Sequence, residues 1–92
     1  MTNKATRRLK IVNEKGLHAR ASAKLVEVVE GFDATAEVSL GGQSASGDSI
    51  MGLLMLAASK GTTIDVQTRG PDAEALAAAV EMLVADRFGE DM

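Results

Sequence analysis

Three short stretches of the chain switch between apolar and polar residues at nearly every step, and that alternation restricts the fold more than any other feature. Arg8-Leu9-Lys10-Ile11-Val12-Asn13 places Leu9 and Ile11 on one side. Ala36, Val38 and Leu40 alternate with Glu37 and Ser39, and Ile64 and Val66 alternate with Asp65 and Gln67. Successive side chains of a strand point to opposite faces, so each segment has one apolar and one polar face. Parallel strands covered on both sides read as continuous apolar runs, so the pattern favours an antiparallel sheet with one face in water. Gly41-Gly42, between the second stretch and Gln43-Ser44-Ala45-Ser46, is a two-residue hairpin signal and supplies the remaining strand.

Helical patterns lie between and after the strands. From Ala19 to Glu30, the residues Ala21, Leu25, Val28 and Val29, followed by Phe32, fall on one face, and Gly31 marks a stop. Ile50 to Ser59 is almost wholly apolar and follows Ser46, Asp48 and Ser49, any of which could cap a helix. A last helix follows Gly70-Pro71, with the proline in its first turn, Asp72 and Glu74 near its positive end, and a stripe of Leu76, Val80, Leu83, Val84 and Phe88. The order is strand, helix, strand, strand, helix, strand, helix. The expected fold is α+β, an open-faced β-sandwich with a four-stranded antiparallel sheet and three helices on one face. No linker or repeat divides the chain, so residues 1–92 read as a single domain, with Met1 to Ala5 and Gly89 to Met92 as frayed ends.

The composition narrows the function. The chain has no cysteine, which excludes disulfides and thiolate metal clusters. Its N-terminus has no apolar stretch of signal-peptide length and no segment approaches transmembrane length, so a soluble, monomeric, cytoplasmic protein is expected. Seven of the ten basic residues lie at or before Lys24, whereas twelve of the thirteen acidic residues lie after it. A net charge of -3 and only two aromatic rings, both Phe, suit nucleic acid poorly. A local basic patch suits an acidic protein partner.

The patch surrounds the only histidine, in Gly16-Leu17-His18-Ala19-Arg20. A lone histidine is ordinarily a surface or structural group, but this one precedes the first turn of a helix and lies off its apolar stripe. The first N–H groups of a helix lack internal partners and, with the macrodipole, favour an anion such as a phosphoryl group. Gly16 permits a tight turn, Arg20 offers a fork of donors, and a neutral imidazole nitrogen is a nucleophile. One histidine without a nearby pair of carboxylates offers too few ligands for zinc, so no metal is expected, and no serine triad or cofactor is called for. Gly41-Gly42 and Gly47 match no nucleotide-binding pattern and read as turns. Ser49 reads first as a helix cap. The run Ile50-Met51-Gly52-Leu53-Leu54-Met55-Leu56 is too continuous to be buried on one face only, so part of it is expected to be an exposed docking surface.

Gly16-Leu17-His18-Ala19-Arg20, Ser49-Ile50-Met51-Gly52-Leu53-Leu54 and the closing helix together resemble HPr, the histidine-containing phosphocarrier family of the bacterial phosphoenolpyruvate-dependent phosphotransferase system. The resemblance runs from about Arg7 to Phe88. It implies the open-faced sandwich just derived, phosphorylation of His18 on Nδ1 by enzyme I, and onward transfer to an EIIA-type acceptor. Arg20 matches the family's active-site arginine, and Ser49 matches the serine modified by HPr kinase/phosphorylase. Ala21, Lys24, Ile50, Met51 and Leu54 are the expected docking residues. Most relatives have proline where this chain has Ala21; alanine forms helix well and keeps its N–H, so the anion site should survive. Leu54 and the run Leu53-Leu54-Met55-Leu56 look more like the nitrogen-related branch than the sugar-transport branch. A rival reading is a sensing or scaffold module in which His18 and Arg20 bind a small anion without covalent chemistry, and a third is an HPr-like regulator working through Ser49 alone.

Overall fold

A computed structural model describes residues 3–91. The elements are β1 (Lys4–Lys10), α1 (Ala19–Glu30), β2 (Thr35–Leu40), β3 (Gln43–Ser46), α2 (Ile50–Leu56), β4 (Thr63–Arg69) and α3 (Ala73–Ala85), followed by a 3-10 turn over Arg87–Gly89. The strands lie in the order β1-β4-β2-β3, and every neighbouring pair is antiparallel. Leu40 pairs with Gln43 across Gly41-Gly42, the hairpin expected from that dipeptide.

The alternation places one face of the sheet in the core. Leu9, Ala36, Val38, Ile64 and Val66 are buried, while Arg8, Glu37 and Asp65, their neighbours in sequence, are exposed. Helix α3 packs on β1 and β4, α2 packs on β2 and β3, and α1 contacts both other helices. Leu25 of α1, Leu53 of α2 and Leu76 and Val80 of α3 are wholly buried. Each such side chain contributes roughly 1.5–3 kcal/mol relative to exposure. The architecture is the α+β open-faced sandwich that the alternation predicts.

The element boundaries differ from expectation in places, each for a physical reason. Strand β1 begins at Lys4, with Lys4 opposite Arg69 and Ala5 buried, so Lys4 and Ala5 are not a frayed end. Met1, Thr2 and Met92, also expected to fray, lie outside the described residues. The early part of β1 is hidden in the sequence because Arg7 occupies an inward position. Its stem is half-buried while its guanidinium reaches Glu74 at 2.6 Å and Glu81 at 3.2 Å on α3. In α1, Val26 and Ser22 are buried and Val28 only half-buried, so the buried stripe is rotated from the one expected.

Helix α2 stops at Leu56 and not at Ser59, because Ala57 turns left-handed (φ 53°) and sends Ala58 into the core. Helix α3 takes Asp72 as its N-cap, so Pro71 lies before the helix and not in its first turn. The Asp72 carboxylate accepts the Asp33 N–H at 2.8 Å, which ties the loop after α1 to the start of α3. Phe88 is wholly buried, yet it sits in the terminal turn with φ 55° and does not continue the helical stripe.

Candidate functional site

His18 is positioned by a close backbone approach. Gly16 has φ +66°, and a Cβ there would lie 2.4 Å from the Ala58 carbonyl oxygen, so both conformation and space require glycine. The approach lets the Leu17 N–H bond the Ala58 oxygen at 2.8 Å. The turn at Ala57-Ala58, just after the C-terminus of α2, is therefore what receives the loop before α1. His18 follows in an extended conformation as the N-cap of α1, and its carbonyl accepts the Ser22 N–H at 2.8 Å. Its Nδ1 accepts the backbone N–H of Arg20 at 3.3 Å. The side chain is 27% exposed, so the ring borders solvent at the positive end of a three-turn helix.

The other ring nitrogen, Nε2, contacts the Glu90 carboxylate, 72 residues away in sequence. Glu90 also accepts from Asn13 Nδ2 at 2.9 Å, and the same amide donates to the Gly16 carbonyl at 2.8 Å. Asn13 is fully buried, and its Oδ1 has no partner among the described residues. The Asn13 amide, against the opposing effect of burial and with smaller help from His18 and Lys15, holds the Glu90 carboxyl below the usual carboxylate range. Gly89 and Glu90 are thus ordered parts of the site and not a loose end.

A cavity of about 360 Å³ lies between the residues that hold the imidazole and their neighbours, lined by Glu14, Lys15, Arg20, Lys24, Gly89, Glu90 and Asp91. It holds both of the ring's hydrogen-bond partners and three cations. Arg20 is exposed and, among the described residues, its guanidinium has no ion-pair partner, so its donors are available to an anion. Lys24 is committed elsewhere. Its Nζ donates to the Phe88 carbonyl at 2.6 Å, so it fastens the terminal turn to α1 instead of standing free for docking.

Ala21 is fully buried and presents no surface to a partner, which corrects its expected docking role. It lies in the first turn of α1, where its methyl packs inward. Ile50 is 40% exposed, Met51 69% and Met55 77%, and Leu54 is half-buried. These four form an apolar stripe along α2 at helical spacing, to which Met55 is the unforeseen addition.

Ser49 is the N-cap of α2, its Oγ accepting the Gly52 N–H at 3.0 Å. The C-terminal side of α2 meets the loop before His18 through Ala58, whereas a Cβ on Gly47, before Ser49, would touch Val29 near the end of α1. Ser49 and His18 therefore lie at opposite ends of an antiparallel helix pair. The length of α2, roughly 10 Å, lies between them.

The family model described as the PTS HPr component phosphorylation site matches residues 5–86. The chain belongs to the HPr family. It is 45% identical to the phosphocarrier protein HPr of Cupriavidus necator, over 87% of this chain and 90% of that protein. It is 44% identical to the phosphocarrier protein NPr of Escherichia coli, over 99% of this chain and 100% of that protein. The crystal structure of HPr-C-His from Thermoanaerobacter tengcongensis superposes with a TM-score of 0.91 at 30% identity, covering 96% of this chain and 99% of that one. A member of the HPr family is a phosphocarrier, which bears a phosphoryl group between proteins and does not turn over a substrate of its own. No helix among the described residues is long and apolar enough to cross a membrane.

Proposed function

We propose that His18 accepts a phosphoryl group on Nδ1 from phosphorylated enzyme I and passes it to an EIIA-type protein. The observation that carries this reading is the placement of Nδ1 at the N-terminus of α1, on the backbone N–H of Arg20, whose guanidinium has no ion-pair partner among the described residues. In-line attack needs a lone pair on Nδ1 and donors for the three phosphoryl oxygens. The helix N-terminus and the Arg20 fork supply such donors, and an arrangement made beforehand requires little reorganisation during transfer. A non-covalent anion site would use the same donors but would gain nothing from a ring nitrogen facing them.

The acceptor is proposed to belong to the nitrogen-related branch. The unbroken apolar run of α2 supports this, as does the match to the Escherichia coli NPr over essentially both whole chains. Residues 1–92 then act as one monomeric domain in the cytoplasm. A relay assay tests the reading: phosphoenolpyruvate, enzyme I and the chain are mixed with an EIIA of each branch. Label should reach the nitrogen-related EIIA faster, and only when the chain is present. Label reaching neither EIIA would remove the carrier role, and equal rates would remove the branch.

Ser49 is proposed as a regulatory site for an HPr kinase/phosphorylase. Its half-exposed hydroxyl sits at the end of the apolar stripe, next to Ile50 and Met51. A phosphate there adds about two negative charges where a partner must exclude water. Because Ser49 lies a helix length from His18, the effect should fall on docking and not on His18 chemistry. Ser49→Asp should therefore raise the KM for enzyme I with kcat nearly unchanged, and an unaltered KM would reduce Ser49 to a helix cap.

A further inference from the structure

We infer that Glu90 is a positioning residue for phosphoryl transfer: its carboxylate, held by Asn13, accepts a hydrogen bond from the His18 Nε2–H, which keeps the ring hydrogen on Nε2 and leaves the Nδ1 lone pair facing the N-terminus of α1. The inference rests on the phosphocarrier reading and adds to it a carboxylate from the far end of the chain.

The hydrogen-bond inventory leads to this assignment. An ionised carboxylate only accepts, so the nitrogen facing Glu90 carries a hydrogen; a backbone N–H only donates, so the nitrogen facing Arg20 N must bear a lone pair. A neutral imidazole has one nitrogen of each kind. The two contacts, made by unrelated segments, demand the same tautomer, and it is the one with a nucleophilic Nδ1.

The carboxylate is held in place from several directions. One Asn13 amide group donates both to Glu90 and to the Gly16 carbonyl, joining the terminal segment to the loop that carries His18. Its buried oxygen has no partner among the described residues, a desolvation cost that an apolar residue would avoid. Buried Phe88 anchors the turn before Glu90, and Lys24 fastens its carbonyl to α1. The Glu90 side chain is 14% exposed, so its charge is little screened by water.

The step balances without moving a proton. The bond between phosphorus and the donor breaks and its electron pair leaves with the donor, while the Nδ1 lone pair forms the new P–N bond. Nε2 keeps its hydrogen, so the ring becomes positively charged, and the adjacent Glu90 carboxylate offsets that charge. When the phosphoryl group moves on, the pair returns to Nδ1 and the starting tautomer is restored. A carboxylate behind a catalytic histidine in hydrolase triads orients the ring and stabilises its cation by the same physics.

The test compares the parent with Glu90→Gln, Glu90→Ala and, as a control on the same segment, Asp91→Ala. Nitrogen-15 spectra of His18 at alkaline pH report the tautomer, and transfer from phosphorylated enzyme I reports kcat and KM. The parent and Asp91→Ala should hold the hydrogen on Nε2. Glu90→Ala should give a mixture of tautomers with kcat reduced about ten-fold and KM nearly unchanged, the scale of one lost charged hydrogen bond. Glu90→Gln keeps an acceptor oxygen without the charge, so it should retain the tautomer and fall between the two in rate. An unaltered tautomer or an unaltered kcat in Glu90→Ala would overturn the role. Should the parent take no phosphoryl group, the phosphocarrier reading fails, and the spectra alone then decide whether Glu90 sets the ring.

Discussion

At the scale of single residues, Arg20 supports a graded prediction. Arg20→Lys keeps the charge but loses the planar fork, so it should slow transfer from enzyme I less than Arg20→Ala does, by rate measurements at saturating donor. His18 and Arg20 are legible in the sequence because they sit within three positions of each other at a helix start, where local chemistry already says what they can do. Asn13 and Glu90 are not. Their partnership with His18 exists only because α3 and the terminal turn return the chain to the loop before α1. Glu90 in a short polar tail reads as solvated, and the one available sign was buried-type Phe88 two positions before it. Glu90 supports a prediction in pH. Its carboxyl is held below the ordinary range in the folded chain, so its contribution to stability is present above the unfolded carboxyl's pKa, about 4.3, and is lost as pH falls through the lower folded value. Melting temperatures of the parent and Glu90→Gln should therefore differ at neutral pH and converge only in acid, as pH falls through the lowered value of the folded carboxyl. A gap that persists unchanged in acid would mean that the carboxylate's charge is not what fixes the terminal segment.

At the scale of elements, periodicity located β1, β2, β4, α1 and α3, the Gly41-Gly42 turn signal supplied β3 and the capped apolar run supplied α2; the errors fall where tertiary contacts override local pattern. The start of β1 is masked by inward Arg7, whose charge is satisfied by two glutamates on α3 that no local pattern connects to it. The end of α2 is invisible for a similar reason: Ala57 and Ala58 are good helix formers, and only the hydrogen bond from Leu17 to Ala58 accounts for the turn. That bond depends on Gly16. Gly16→Ala should destabilise the fold by about 1–3 kcal/mol, because it combines a left-handed backbone with a methyl group pressed on a carbonyl. It should also displace His18 and slow phosphoryl acceptance, whereas Gly42→Ala, in open space at the distant hairpin, should leave acceptance unchanged. Chemical denaturation and transfer rates measured on both variants check this. A Gly16→Ala variant as stable and as active as the parent would show that the loop has room the geometry denies it.

Across the whole molecule, the sequence divides into a basic first quarter and an acidic remainder, and the fold turns that division into a site. Lys15, Arg20 and Lys24 collect around one cavity, with Glu14, Glu90 and Asp91 as counter-charges, while α2 offers an apolar stripe alongside. A partner that reads both features should bind through apolar contact and be steered by charge. Met55, 77% exposed on the half of α2 nearer to His18, is the sharpest probe of that surface. Met55→Asp should fold normally yet raise the KM for enzyme I several-fold, a loss of about 1 kcal/mol or more that high salt does not relieve. An unchanged KM would place docking elsewhere. The central claim is that His18 carries the phosphoryl group, and the most direct measurement is the intact mass of the chain after incubation with phosphoenolpyruvate and enzyme I. The parent should gain one phosphoryl group that mild acid removes, and His18→Ala should gain none while remaining folded. A phosphoryl group on His18→Ala, or one on the parent that survives acid, would contradict phosphoryl carriage at His18.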